Sequence, residues 1–239
     1  MLKNNERDNM KHELKCILTK IGNQFLRDNK RRQLDNAALI RLASAIPEGF
    51  AWTSSSVAPR AISVLLNEII IHRRTRVIEC GSGISTIIMA KALADQGGRI
   101  VSVDHDATWQ NLVRKMSGGL ECIDFIHTAL KSKGIGQEFD WYDQQILYNE
   151  LGDQKFDMGF VDAPIANRTP QARFPAFPLL KSYFDESFAL FLDDTNREGE
   201  RKIANEWAKE YGLNLRIMDV VADMALLYPK ADTDRYAIS

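Results

Sequence analysis

Cysteine is scarce in this chain of 239 residues. Cys16, Cys80 and Cys122 are odd in number, lie far apart and form no C-x-x-C pair. A disulfide framework and a cysteine-rich zinc site are therefore not expected, and a reducing compartment suits the chain. Long apolar runs are also missing. No stretch approaches the roughly 18 uninterrupted apolar residues of a membrane span. The first residues are polar and lack the apolar centre of a secretory signal, which makes the cytoplasm the expected location. Nor does one sign of charge dominate: 31 Lys and Arg against 32 Asp and Glu leave a net charge of −1. The basic excess usual in nucleic-acid binders is absent, so no nucleic-acid partner is expected. Proline is sparse too, and four of the seven fall between Pro164 and Pro178, marking an extended loop.

What the chain does have is periodicity. Leu14, Ile17, Leu18, Ile21, Phe25 and Leu26 recur at helical steps. The charged segment from Arg27 to Arg32 reads as a solvated turn, or as a contact for an anion. A second helix runs from Ala37 to Ile46 and stops at Pro47 and Gly49. Residues 1–50 thus read as an N-terminal helical extension, suited to cover a site or to form a homodimer contact, and residues 51–239 as the main domain.

From there apolar runs alternate with helical patterns. Strands are expected at 76–80, 99–104, 121–126, 156–162 and 188–193. Helices are expected at 59–71, 84–94, 109–116, 142–151, 177–184 and 197–211. Two closing strands, 214–220 and 224–228, are too close for a crossover helix and read as an antiparallel hairpin. This pattern predicts an α/β fold: a doubly wound, Rossmann-like, seven-stranded and mostly parallel sheet. Ligands of such sheets sit beyond the carboxyl ends of the strands, so the chemistry belongs in the turns there.

The first of those turns is Glu79-Cys80-Gly81-Ser82-Gly83, followed by Thr86. Two glycines let the backbone turn tightly and approach a ligand closely. Thr86 stands where a dinucleotide fingerprint has its third glycine, which weakens a pyrophosphate cradle. Glu79 would repel a pyrophosphate but suits an ammonium or sulfonium, directly or through the loop amides. Asp104, 21 residues after Gly83, ends the second strand and can accept hydrogen bonds from ribose hydroxyls. Asp106 directly precedes a helix and reads as its cap.

These residues resemble the cofactor site of class I S-adenosylmethionine-dependent methyltransferases, over about residues 50–229. The resemblance implies that Gly81, Ser82 and Gly83 face the methionine part of the cofactor and that Asp104 binds its ribose. It places His127, and the segment to Leu130, near the adenine. Trp52 to Ser56 would close over the cofactor's carboxylate, or serve as a linker and helix cap.

The later strand ends carry Asp162, then Asp193 and Asp194. Three carboxylates at one sheet edge suit a hard divalent cation such as Mg²⁺. The arrangement resembles metal-dependent small-molecule O-methyltransferases, in which the metal binds and acidifies a substrate hydroxyl. The other reading has Asp193 and Asp194 capping the next helix while Asp162 meets the cofactor or a loop amide. The lysine that catechol-type enzymes use as base is missing, with Ile165 in its place. The base is thus unassigned: Asp162, His105 and His127 are the candidates, each histidine reading more as a structural or cofactor-side residue than as the base, and a metal-lowered alkoxide could attack without a protein base. Phe174, Phe177 and Arg168 would line a substrate pocket or pack on the sheet, and Arg197 would meet an anionic substrate or pair with the nearby acids. The leading expectation is methyl transfer to a small-molecule acceptor at oxygen. Against it stand a non-catalytic binding or assembly protein of the same fold and an NAD-dependent oxidoreductase. The latter is disfavoured by Glu79 and by the lack of a Tyr-x-x-x-Lys pair: Ile146 follows Tyr142, and Gly152 follows Tyr148, at that step.

Overall fold

The computed structural model describes residues 2–50, 52–53, 55–131, 140–165 and 171–236. Short β-branched and apolar runs become strands, and the longer patterns between them become helices. In chain order these are α1 (Leu2–Leu42), α2 (Pro59–His72), β1 (Arg76–Cys80), α3 (Ile84–Ala94), β2 (Arg99–Asp104), α4 (Ala107–Met116), β3 (Ile123–His127), β4 (Leu130–Lys131), β5 (Trp141–Tyr142), α5 (Gln144–Leu151), β6 (Phe156–Val161), α6 (Ala176–Leu180), β7 (Phe184–Leu192), α7 (Glu198–Tyr211), β8 (Asn214–Met218) and β9 (Met224–Tyr228).

Seven strands form one sheet in the order β3-β2-β1-β6-β7-β9-β8, and β4 pairs with β5 in a separate two-stranded ladder. The first five of the seven run parallel. Strand β9 is antiparallel to both β7 and β8, the expected closing hairpin. The chain winds outward from β1 through β2 to β3, then returns to the other side of β1 with β6. Adjacent parallel strands whose connections leave in opposite directions open a crevice at their carboxyl ends. Here that crevice lies between the turns after β1 and β6.

Helices cover both faces, as a buried parallel sheet requires. Ile62, Leu65 and Ile69 of α2 and Ile84, Ile88 and Leu93 of α3 pack on one face. Trp207 of α7, Phe177 of α6 and Leu147 and Leu151 of α5 pack on the other with Trp141 and Tyr142. Trp207 is fully buried, and its indole N–H donates to the Phe174 carbonyl at 3.0 Å.

The N-terminal region differs from expectation. One helix runs through the charged segment from Arg27 to Arg32 instead of breaking into a turn. The reason is local pairing at helical spacing. Gln24 donates to Asp28 at 3.0 Å, Arg31 reaches Asp28 at 3.3 Å, and Arg32 reaches Asn29 at 2.6 Å. The helix ends at Leu42, earlier than the pattern suggested, and turns up to Ile46. Its second half is fastened to the main domain by charge. Arg31 pairs with Asp223 at 2.6 Å, and Arg60 bridges Asp35, at 2.6 Å, and the other oxygen of Asp223. Ile17, Leu18, Ile21, Phe25 and Leu26 remain exposed. None of the helices among the described residues is long and apolar enough to cross a membrane. Strand β7 starts at Phe184, where a helix end was expected, because Phe184 and Phe188 anchor it in the core on either side of polar residues.

Trp207→Ala removes one of the two buried tryptophans of the second core face. It should lower unfolding free energy by about 3–5 kcal/mol in urea titrations, with little loss of helix signal before the transition.

Candidate functional site

The turn after β1 is built to come close to its neighbour. Gly81 has φ +105°, and a Cβ there would lie 2.9 Å from the Ala163 Cβ. Only glycine meets both conditions without strain. Its amide donates to the Val103 carbonyl at 2.8 Å, while the amides of Asp162 and Ala163 both donate to the Cys80 carbonyl at 2.9 Å. The ends of β1, β2 and β6 are thereby locked together around a cleft of about 610 Å³, a volume typical of small-molecule sites.

One wall of the cleft contains Gly81, Ser82, Gly83, Asp104, His105 and Trp109. The Asp104 carboxylate accepts the Ser82 amide at 2.7 Å on one oxygen and the Asp106 amide at 2.8 Å on the other. Each oxygen keeps a further lone pair for a ligand hydroxyl. Asp106 caps α4 as expected, accepting the Trp109 amide at 2.9 Å. Three residues that the sequence does not single out brace this wall, Trp109 from the lining and Gln110 and Ser102 from behind it. The Trp109 indole donates to the Ser82 carbonyl at 2.6 Å, Gln110 ties Ser82 Oγ to the carbonyls of Ser102 and Ile126, and Ser102 Oγ lies 2.9 Å from Ser82 Oγ.

Glu79 lies beneath the turn, fully buried, and does not line the cleft. Its carboxylate accepts hydroxyls from Ser85 at 2.6 Å, Ser102 at 3.0 Å and Thr86. Thr86 Oγ1 in turn accepts the Gly83 amide at 2.8 Å. Direct contact with a ligand ammonium would displace these hydroxyls; the link to the cleft runs through the loop amide. Burial raises the Glu79 pKa to about 7 against the lowering by its three hydroxyls. His127 also lies off the cleft lining, exposed, with Nε2 3.2 Å from the His105 carbonyl.

The opposite wall holds Asp162, Ala163, Ile165, Arg173, Asp193, Asp194 and Arg197. The three aspartates do converge, each offering an oxygen within 4.8 Å of the others. A guanidinium sits among them. Arg173 is 2% exposed, and one of its terminal nitrogens donates to Asp162 Oδ1 at 3.0 Å and to Asp194 Oδ2 at 3.1 Å. Its other nitrogens donate to the Asp193 carbonyl at 3.2 Å and the Pro164 carbonyl at 3.3 Å. Arg197 adds a second cation, 2.9 Å from the same oxygen of Asp194. Burial opposes the charge on Arg173, but Asp162, Asp194 and Asp193 outweigh it and raise its pKa. Burial likewise lifts Asp162 to about 7, with Arg173 pulling the other way, and lifts Asp193 well above the carboxylate range. A donor set with two of its three carboxylates already paired to a buried arginine does not fit a magnesium ion. Asp193 and Asp194 do not cap α7, whose N-cap is Arg197 without a side-chain cap.

Thr53, Ser55, Ser56 and Val57 close the third side of the cleft. Phe177 and Phe174 belong to the core around Trp207 and do not reach the cleft, because their rings are the apolar cover of β6 and β7. Ser54 and Arg168 lie outside the described residues. Arg173 was legible only as a charge flanked by Ala172 and Phe174, with no motif to announce its partners.

Against known proteins, residues 78–195 match the model of a methyltransferase domain family, from the middle of β1 to just past β7. An O-methyltransferase from Bacillus cereus, solved in complex with SAH, superposes over 83% of this chain and 91% of its own, with a TM-score of 0.56 at 15% identity. The chain has the class I S-adenosylmethionine-dependent methyltransferase fold. A methyltransferase of this fold from Podospora anserina, SAH-bound, covers 84% of this chain and 87% of its own, with a TM-score of 0.56 at 12% identity. One from Geobacter sulfurreducens covers 73% and 80%, with a TM-score of 0.54 at 16% identity. No curated protein matches the sequence. On this methyltransferase fold the cleft lies at the carboxyl edge of the parallel strands, at the crevice between β1 and β6.

The raised pKa of Glu79 carries a stability consequence. Between its ordinary 4.5 and about 7, the native state keeps a proton that the unfolded chain has lost. Its contribution is therefore complete below pH 4.5 and is lost as pH rises through 7. Unfolding free energy measured across this range should fall, relative to Glu79→Gln, by up to a few kcal/mol, and the difference should level off above neutrality.

Proposed function

We propose that the chain transfers a methyl group from S-adenosylmethionine to an oxygen of a small-molecule acceptor. One observation carries this reading: the glycine turn with Asp104 and the carboxylate of Asp162 face each other across a single cleft at the switch point of the sheet. Bound there, S-adenosylmethionine supplies an electrophilic methyl group on a sulfonium centre.

The remaining work falls to the chain. Gly81, Ser82 and Gly83 present backbone without a Cβ in the way, and Glu79 holds that backbone in shape from beneath. Asp104 accepts the ribose hydroxyls with the lone pairs its amide partners leave. His105 borders the same wall, and His127 supports the His105 carbonyl from outside. Thr53, Ser55 and Ser56 offer hydroxyls at the third side. Acceleration comes mainly from holding acceptor and methyl donor in line. In this reading Asp162, a carboxylate lining the cleft, takes the acceptor's proton, and a pKa near 7 suits a general base at neutral pH. The near-neutral chain charge and the acidic cleft favour a small acceptor over a polyanion.

Isothermal titration calorimetry tests the reading. S-adenosylmethionine and S-adenosylhomocysteine should bind with one site per chain and NAD should give no heat; absence of binding by both would reject it. Asp104→Ala should weaken binding by about 1–3 kcal/mol if the carboxylate holds both ribose hydroxyls. With an acceptor found by screening, Asp162→Asn should lower kcat on the order of 10²–10⁴-fold while leaving cofactor affinity nearly unchanged. Cofactor binding with no transfer to any acceptor in a broad panel would point to a binding protein of the same fold.

A further inference from the structure

The arginine among the three aspartates changes what the acidic cluster can be. In an open metal site, carboxylate oxygens converge on a point kept free for the ion, about 2.0–2.1 Å from each for Mg²⁺. Here the point shared by Asp162 and Asp194 is held by a nitrogen, 3.0 Å from one and 3.1 Å from the other. The guanidinium has almost no exposure and cannot lose its proton at accessible pH. It is fixed from two more directions, by the Asp193 carbonyl and by the Pro164 carbonyl. Arg197 places a second cation on the same Asp194 oxygen from the solvent side. A divalent ion entering between these carboxylates would stand against two guanidinium groups, competing with Arg173 for Asp162 and with both arginines for the same oxygen of Asp194.

We infer that Arg173 is a resident replacement for the divalent cation: a covalently attached positive charge that organises Asp162, Asp193 and Asp194, so that the site takes no metal. This rests on the methyltransferase reading for what the site is for, but not for what occupies it. Arg173 is a positioning residue. It aims the Asp162 carboxylate at the cleft by engaging one oxygen and leaving the other, and it ties the turn after β6 to the turn after β7 through their carbonyls. The chemical class of acceptor follows. A chelated ion selects molecules that offer two adjacent oxygens to the metal. A buried guanidinium with its donors committed makes no such demand, so an acceptor with one isolated hydroxyl suits the site as well as one with a vicinal pair.

The test is a metal titration on the full chain, with Mn²⁺ followed by electron paramagnetic resonance and Mg²⁺ by calorimetry, each with and without S-adenosylhomocysteine. Wild type should show no saturable binding of either ion up to about 1 mM, and its affinity for S-adenosylhomocysteine should be unaltered by EDTA. Arg173→Met removes the charge while keeping much of the bulk, and should gain Mn²⁺ affinity at least about tenfold by freeing the carboxylates. A merely structural arginine would not produce that gain. One Mn²⁺ bound per wild-type chain in the micromolar range, lost in Asp162→Asn, would overturn the inference, as would a folded Arg173→Met chain with no gain. Should Arg173→Met fail to fold, the wild-type titration still decides. Failure of S-adenosylhomocysteine to bind would count against the methyltransferase reading and leave the metal result standing on its own.

Discussion

The carbonyl of Cys80 accepts two amide protons, from Asp162 and from Ala163, and the site depends on that junction. It joins the last residue of one strand to the first turn residues of the strand beside it, where the winding of the sheet reverses. Because the two loops meet there, the side chains on either flank face one another across the cleft. Gly81 is the price of so close an approach: a side chain at this position would collide with Ala163. The glycine turn and the aspartate on the opposite wall are therefore one construction.

Two buried charges stabilise that construction in different ways. Glu79 has no cationic partner among its hydrogen bonds and relies on three hydroxyls, so much of its desolvation cost stays uncompensated and its proton is held more tightly. Arg173 has carboxylates on two sides and carbonyls on two more, so its charge is retained. A buried ion survives only when its remaining donors are matched, and Arg173 meets that condition through four acceptors drawn from two separate strand ends.

Much of this was legible in the sequence, for identifiable reasons. The parallel strands are short apolar runs bounded by turns, and 76–80, 99–104 and 224–228 stand where the pattern put them. Asp104 and Asp162 are legible as cleft residues because a strand end fixes where a side chain emerges, and both line the cleft. The rest needed the third dimension. The charge from Arg27 to Arg32 suggests a turn in the sequence, whereas pairs at helical spacing sustain the helix through it. The ladder of β4 and β5 spans two residues per strand, too short for any periodicity. Gln110 and Trp109 sit on an ordinary amphipathic helix, and their value comes from which carbonyls they meet. Arg173 carried no pattern at all; its neighbours in space come from 162–164 and 193–194.

The bonding of the glycine turn also bears on time. Ser82 is held at its amide, its carbonyl and its hydroxyl, and Gly83 at its amide, all by groups of the protein itself. Little conformational freedom remains at this wall for a ligand to remove. Entry on this side of the cleft is then a matter of diffusion and desolvation, without a loop that must first find its shape.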